Sequence, residues 1–450
     1  MMPHPIRRWA SAIAAIALAV MTLAGVSSSA SAEDAFQAWL QSMWPEAEKL
    51  GVSRATFEAA TRGLTPDLSL PDLVIPGRPE APPRGQAEFV QTPAEYLRES
   101  TLTNLAAHGR QLLDKHRATL LRIERDLGVP PQVVLAIWGR ETAFGTYKLP
   151  HSAIRVLATQ GFYGRRKDFF RNEFLLALKM LQDGVNPADM RSSWGGALGL
   201  TQFLPSEFYK QAVDFDGDGR RDIWHSVPDA LASAAKQLQD KGWQPGKTWA
   251  YEVRVPKGVD CTIANPDYTL TLREWLERGY VPARNRQIAA ADLDEKASLL
   301  MPAGVYGPAF LILKNYYVIK DYNFSDLYVL FVGNVSDRIA GGGPFEKPWD
   351  KVVQMRTKQL EEMQQRLATL GLYRDKIDGK AGMRTRLALG AYQKANNLRL
   401  DCWPTADVLA LEVGDRRRGR AQQEVGEVVR EDAVELLGHR AVERAHARLD

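Results

Sequence analysis

Glu141 lies in Pro130-Pro131-Gln132-Val133-Val134-Leu135-Ala136-Ile137-Trp138-Gly139-Arg140-Glu141-Thr142-Ala143-Phe144-Gly145, a setting in which a carboxyl can work as an acid. Proline at a first helical position, an apolar run and a closing glycine predict one short buried helix. Glu141 falls in its last turn, beside Trp138 and Phe144. Burial against aromatic rings disfavours a carboxylate, and the negative end of the helix dipole does the same. Both push Glu141 toward the neutral form that a glycosidic general acid needs. The plain alternative is a structural carboxyl paired with Arg140 or Lys148, because perturbed carboxyls mark functional sites only statistically.

Two further segments could carry chemistry. Ser192-Ser193-Trp194-Gly195-Gly196-Ala197-Leu198-Gly199-Leu200-Thr201-Gln202-Phe203-Leu204-Pro205-Ser206 combines glycines, which let backbone approach a ligand, with two neutral hydrogen-bonding groups, Ser193 and Gln202. Phe203 adds a flat apolar face, and the mixture suits a neutral sugar ring. A glycine-rich helix contact is the alternative. Asp214-Phe215-Asp216-Gly217-Asp218-Gly219-Arg220-Arg221-Asp222-Ile223-Trp224-His225 matches the start of a Ca²⁺ loop, with hard oxygens and a glycine for the sharp turn. The candidate ligand set is Asp214, Asp216, Asp218, Arg220 and Asp222. The position that should hold a closing Glu is His225; Asp229 is the candidate closing acid, farther along than such a loop predicts. The alternative is an acidic turn held by Arg220 or Arg221.

Elements must position these residues. Helices are predicted over Phe36–Leu40, Ala47–Ala60, Leu102–Leu127, Asp168–Asp183, Asp229–Lys241, Pro308–Tyr316 and Phe324–Ala340, from apolar residues at three- and four-residue spacing. Tyr251–Val255 and Tyr268–Leu272 alternate as short strands do. Pro66–Pro83 reads as an extended segment wrapping a core, because Leu70, Leu73, Val74 and Ile75 want burial. Gly341-Gly342-Gly343-Pro344 predicts a domain boundary. Beyond it, helices over Met355–Leu370 and Thr385–Asn396 flank a turn at Asp378–Gly382. They form a module of roughly 60 residues, near the lower limit for a self-standing core.

The 450 residues are 45% hydrophobic and 25% charged, an ordinary globular composition. The formal charge of +4 is too mild to argue for nucleic acid, which needs concentrated positive charge. Arg7 and Arg8 precede an apolar run over Ala10–Ala24, and Ala30-Ser31-Ala32 supplies small residues for cleavage. This predicts a secretory signal at residues 1–32, the run being shorter than the about 20 residues of a membrane span. The mature protein is expected to be exported and soluble, without a transmembrane anchor. Cys261 and Cys402 are expected to be free core thiols in different domains. Residues 413–450 are charged and poor in aromatics, which predicts a frayed helix or disordered tail.

The Glu141 segment, the Ser193–Ser206 segment, and Tyr322-Asn323-Phe324-Ser325-Asp326-Leu327-Tyr328 continuing to Asp337-Arg338-Ile339-Ala340-Gly341-Gly342 together resemble the lytic murein transglycosylases of the B type, over Ala35–Gly342. That resemblance implies a mainly α, α+β protein: an elaborated lysozyme-like catalytic domain over 33–343 with small β insertions. It places the catalytic acid at Glu141 and saccharide contacts at Ser193, Gln202 and Phe203. Asn323 and Tyr328 match positions near the acid. Arg165 and Arg166 match a basic pair that could meet peptide-stem carboxylates; a solvated helix start is the alternative.

The mechanism implied uses one carboxyl where ordinary glycosidases use two. Glu141 protonates the oxygen between N-acetylmuramic acid and N-acetylglucosamine, then draws a proton from the muramyl C6 hydroxyl, which attacks C1 and leaves a 1,6-anhydro end. No cofactor is required for that chemistry; Ca²⁺ would be structural. After a linker at 344–354, residues 355–412 resemble a three-helix peptidoglycan-binding domain through Gln364, Leu367, Leu370-Gly371-Leu372-Tyr373, Ile377-Asp378-Gly379, Gly382, Thr385, Tyr392-Gln393 and Pro404-Thr405. Cys402 departs from it, standing where that family usually has glycine. The expected partners are peptidoglycan glycan strands and cell-wall synthesis or remodelling proteins, in the periplasm or on the sacculus. A non-catalytic wall-binding protein and a hydrolase are the competing readings.

Overall fold

The computed structural model describes residues 33–78 and 87–411. The predicted signal at 1–32 and tail at 413–450 lie outside them. Among the described residues no helix is long and apolar enough to cross a membrane. The chain forms two compact units, one from the segments up to Arg84 and Phe144–Ser233, the other from Gly85–Ala143 and the chain after Ala234.

In the first unit the helices Ala153–Tyr163 and Lys167–Gln182 pack together. The predicted helix over 47–60 is two, Trp44–Lys49 and Arg54–Thr61. Gly51 at φ 81° breaks it, and Ser53 caps the second by accepting from Thr56 N. The described part of the proline-rich segment wraps a core surface, Leu70 and Leu73 packing against Val156 and Tyr163. Gln160 Nε2 donates to Pro71 O at 3.0 Å, so the extended backbone finds partners that a sheet would otherwise supply.

The second unit centres on three packed helices, Glu99–Lys115, Pro131–Thr142 and Asp326–Ile339. The predicted helix over 102–127 breaks at His116, whose backbone (φ −109°, ψ 21°) ends one helix and starts Arg117–Leu127. An antiparallel sheet of five strands lies in the same unit, in the order Leu270–Thr271, Lys296–Leu300, Ala309–Ile312, Ala250–Arg254, Val281–Pro282. Two predictions fail there. Pro308–Tyr316 is not helical throughout: Ala309–Ile312 is a central strand, followed by the helix Lys314–Lys320. All four strand residues are buried, and a run apolar on both faces carries no period to separate strand from helix. Past Thr271 the predicted strand over 268–272 becomes the helix Leu272–Glu277, which Thr271 and Glu274 cap reciprocally.

The glycine run at 341–343 does not loosen the chain as a boundary would. Glu252 takes the backbone N–H groups of Glu346 and Lys347, and Phe345 packs edge-on to Phe310 and Trp349. Beyond it stand the helices Thr357–Thr369, Met383–Ala395 and Ala406–Leu411. Gln364, wholly buried, is their hub. Its Nε2 donates to Asp378, Thr385 and the Lys380 carbonyl, and its Oε1 accepts from the N–H groups of Asp378 and Gly379.

The expectation of free thiols is wrong: Cys261 and Cys402 form a disulfide across 141 residues, with Cα atoms 6.1 Å apart. Both sulfurs lie in the core under the sheet. Cys402 has φ 53°, the left-handed region that favours glycine. A β-carbon on Gly390 would fall 2.4 Å from Cys402 Sγ, so glycine there lets the helix Met383–Ala395 meet the bridge. Closing so long a loop restricts the unfolded chain, a contribution of up to about 5 kcal/mol. Reductant, or Cys402→Ala, is therefore expected to lower the melting temperature. An unchanged melting temperature once thiol titration confirms full reduction would refute that role.

Candidate active site

Glu141 is half-buried in the last turn of Pro131–Thr142, as its sequence predicts. The backbone then turns left-handed at Ala143 (φ 48°), Phe144 (φ 59°) and Gly145 (φ 80°). Two consecutive non-glycine residues in that region store strain, which folds tolerate mainly at sites. Tyr328 Oη donates to Glu141 Oε1 at 2.5 Å. Tyr328 is 1% exposed, and burial first, then the Glu141 charge, push its hydroxyl well above the usual tyrosine range. It therefore stays a proton donor to the carboxylate. Tyr322 stacks parallel to it, ring centroids 6.4 Å apart.

Arg140 directs hydrogen bonds to Tyr96, while the Glu141 charge still acts on it. Arg140 gives Nε and a terminal nitrogen to Tyr96 Oη, at 3.1 and 2.7 Å, and lies over the Tyr96 and Phe331 rings. Burial pushes the Tyr96 hydroxyl up to about 12. Asn323 donates from Nδ2 to Glu88 Oε1 at 3.3 Å and accepts from Ser325 N at 3.2 Å. Neither Tyr96 nor Glu88 was singled out from sequence. The capping box of Thr92 and Glu95 that starts the Tyr96 helix was the available signal.

The helix carrying Tyr328 is pinned at both ends. At its start Ser325 accepts from Leu327 N and Tyr328 N. Asp326 there meets Lys320, Tyr316 Oη at 2.6 Å and Arg386 at 3.1 Å; these cations hold its carboxyl well below the usual range although burial opposes them. At its end Arg338 makes a two-pronged pair with Glu99, at 2.6 and 2.8 Å.

The other saccharide candidates belong to the first unit. Ser193 Oγ accepts from Ala197 N at 3.2 Å, and Gln202 Nε2 donates to Gly199 O at 3.0 Å. Both are half-buried and keep polar capacity. Gln202 has φ 58°, in a tight turn closed by paired bonds between Leu198 and Phe203. Phe203 is a correction: it is 0% exposed, so its ring is core and offers no free face. Phe324, next to Asn323, is an exposed aromatic ring, at 78%. Arg165 and Arg166 are exposed, Arg166 lying over Phe169 and Phe170.

In the acidic loop, oxygens of Asp214, Asp216 and Asp229 lie within 4.8 Å of one another. Asp229 closes the loop in spite of its distance in sequence. Its buried carboxyl accepts from the N–H groups of Phe215, Asp216 and Asp222, and burial pushes it up. Asp218 and Asp222 stand outside this trio, each bonded to backbone within the loop. Exposed Arg220 does not neutralise the trio by any ion pair among the described residues, Arg221 lies over Phe208, and His225 turns to Asp189 at 2.8 Å. Three converging carboxylates fit a hard cation such as Ca²⁺.

Comparison with known proteins matches this architecture. Residues 35–337 match the model of the transglycosylase SLT domain, and residues 356–410 that of a peptidoglycan binding domain. Over 230 residues the chain is 29% identical to the membrane-bound lytic murein transglycosylase B of Escherichia coli (strain K12), spanning 62% of that protein's length and 50% of its own. The structure of SltB3 from Pseudomonas aeruginosa in complex with NAG-anhNAM-pentapeptide aligns at 37% identity and TM-score 0.76, over 84% of this chain and 99% of that one. Soluble lytic transglycosylase SltB1 of the same organism aligns at 28% identity and TM-score 0.54, over 68% of this chain and 98% of its own. The chain thus belongs to the transglycosylase SLT-domain family, among the B-type lytic transglycosylases that carry a C-terminal peptidoglycan binding domain.

Proposed function

We propose that the protein cleaves the glycosidic bond between N-acetylmuramic acid and N-acetylglucosamine in peptidoglycan without water. The observation that carries this reading is the hydrogen bond from buried Tyr328 to Glu141. It orients one carboxyl for two successive proton transfers. Glu141, protonated, gives its proton to the glycosidic oxygen as the C1–O bond breaks. As carboxylate it then takes the proton of the muramyl C6 hydroxyl, whose oxygen bonds to C1. The products are a 1,6-anhydromuramyl end and a free N-acetylglucosamine hydroxyl, and Glu141 returns to its starting state. A relative's complex with a NAG-anhNAM-pentapeptide supports the choice of product.

Ser193 and Gln202 supply hydrogen bonds to the sugars, and exposed Phe324 a stacking face beside Asn323. Arg165 and Arg166 meet stem carboxylates. The acidic loop takes a structural Ca²⁺ through Asp214, Asp216 and Asp229; Asp218, Arg220 and Asp222 shape that loop. Export through the signal at 1–32 brings the enzyme to the wall, and the C-terminal domain keeps it on glycan strands.

Mass spectrometry of digested sacculi tests the reaction: anhydro-muropeptides are expected, whereas reducing ends would mean hydrolysis and no products a wall-binding protein. Glu141→Gln should lower turnover by at least about 1000-fold while sacculus binding persists; retained turnover would sink the mechanism. Tyr328→Phe should cost about 10- to 100-fold, the scale for groups that orient a reacting residue. Losing a donor to a carboxylate favours its protonated form, so the alkaline decline of turnover should move to higher pH in that variant. An unshifted profile would reduce Tyr328 to packing. For the acidic loop, Ca²⁺ at 100 times its dissociation constant should add about 2.7 kcal/mol. Asp216→Asn should abolish that gain, and a melting temperature indifferent to Ca²⁺ and chelator would dismiss the site.

A further inference from the structure

A cavity of about 310 Å³ opens in the second unit, and neither Glu141 nor Tyr328 is among its lining residues. Trp249 and Phe310 form apolar walls, Arg284 and Asp337 supply opposite charges, and Gly342 and Gly343 complete its rim. The glycines matter because a β-carbon on Gly343 would sit 3.5 Å from the Arg284 guanidinium, and one on Gly342 2.8 Å from the Asp337 carbonyl oxygen. The run read as a domain boundary is therefore the lip of a cavity.

Its charged groups keep hydrogen-bonding capacity, although Arg284 also acts on the charges of Glu252 and Glu346 and Arg286 pairs with Asp337. Arg284 and Asn285 both have φ 53°, a strained pair that persists only where its surroundings over-determine it. Glu346 accepts from Arg284 N, and Arg254 grips both Glu346 and Asn285. Arg284 Nε donates to Pro344 O at 2.9 Å, leaving its two terminal nitrogens without a hydrogen bond among the described residues. Among the described residues the Asp337 carboxylate accepts one long bond, 3.3 Å, from Trp249 Nε1 to Oδ2. Arg286 stands 4.0 Å from that oxygen, but it is committed to Thr248 and the Tyr251 ring. Glu252, also in the lining, is committed to two backbone N–H groups. A free guanidinium edge and a free carboxylate oxygen thus face one small cavity. Burial pushes the Asp337 carboxyl up to about 6 against the opposing charge of Arg286.

We propose that this cavity binds a zwitterionic α-amino-acid head, its carboxylate taken by Arg284 and its ammonium by Asp337. Guanidinium edges match carboxylates with two parallel N–H bonds, and Trp249 offers an apolar wall for the adjoining carbons. The source is either a free amino acid or the amino-acid end of a peptide stem. The site stands on this geometry alone; only the choice of probe leans on the peptidoglycan reading.

Titration calorimetry of the full chain tests it with meso-diaminopimelate, and with pimelate and cadaverine, which lack the ammonium and carboxylate groups respectively. The first is expected to bind with a dissociation constant of about 1 mM, the order open to so small a ligand, and the others at least about tenfold more weakly. Arg284→Ala, an exposed change, and Asp337→Asn should each abolish the heat, with cleavage of glycan strands retained in Arg284→Ala. A muropeptide ending in diaminopimelate that competes with the free probe identifies the stem as source; failure to compete identifies the free amino acid. Equal binding of pimelate, or no heat from meso-diaminopimelate, overturns the proposal whether or not the enzyme cleaves glycan.

Discussion

A tyrosine hydroxyl with almost no access to water must find its partner inside the protein, and Tyr328 finds it in Glu141. The constraint works in both directions. The phenol cannot leave without an unsatisfied buried group, and the carboxyl is not free to rotate while it accepts. Everything that fixes Tyr328 therefore fixes Glu141. The helix Asp326–Ile339 is buried over most of its length, with Ser325 capping its start and Arg338 clamped to Glu99 at its end. Arg338 is buried but Glu99 is 61% exposed, so water screens their attraction, and the helix is held chiefly by the burial of its own residues.

The C-terminal helices share that anchorage. Arg386 reaches Asp326, two residues before Tyr328, and Cys402 is bonded to Cys261. Tyr306 Oη donates to Asp401 at 2.9 Å. A β-carbon on Gly304, itself at φ 55°, would lie 2.0 Å from the Asp401 carbonyl oxygen, so the two backbones meet as closely as they can. A domain on a flexible linker raises local substrate concentration over a wide volume. One held by a disulfide and a buried ion pair presents its surface in a fixed register instead.

Much of this was legible in the chain. The helix of Glu141 follows from its proline start and apolar run. The turn chemistry of Asp378-Gly379 and the conspicuous Gln364 followed from a family resemblance, and the structure supplies the cause: one buried amide bonds to groups of five residues, Tyr373, Asp378, Gly379, Lys380 and Thr385. The acidic loop was recognisable by its spacing, and its candidates included the three acids that converge, Asp214, Asp216 and Asp229. Asp229 comes in because a helix start brings it back beneath the loop, within 4.8 Å of oxygens of Asp214 and Asp216. Phe203, by contrast, was misread. A phenylalanine in a glycine-rich segment looks available, and only its 0% exposure shows that the core has taken it.

The sequence by itself determined the local features: which segment forms the acid-bearing helix, where caps and turns fall, and which residue types could meet a sugar or a cation. These depend on neighbours within a few residues, whose periodicity and hydrogen-bonding capacity can be read along the chain. Tertiary structure alone decided the pairing of Cys261 with Cys402, the strand at Ala309–Ile312, the partner of Glu141 and the cavity beside Arg284. Each joins residues far apart in sequence, and the burial that makes such contacts decisive exists only once the chain has closed around them.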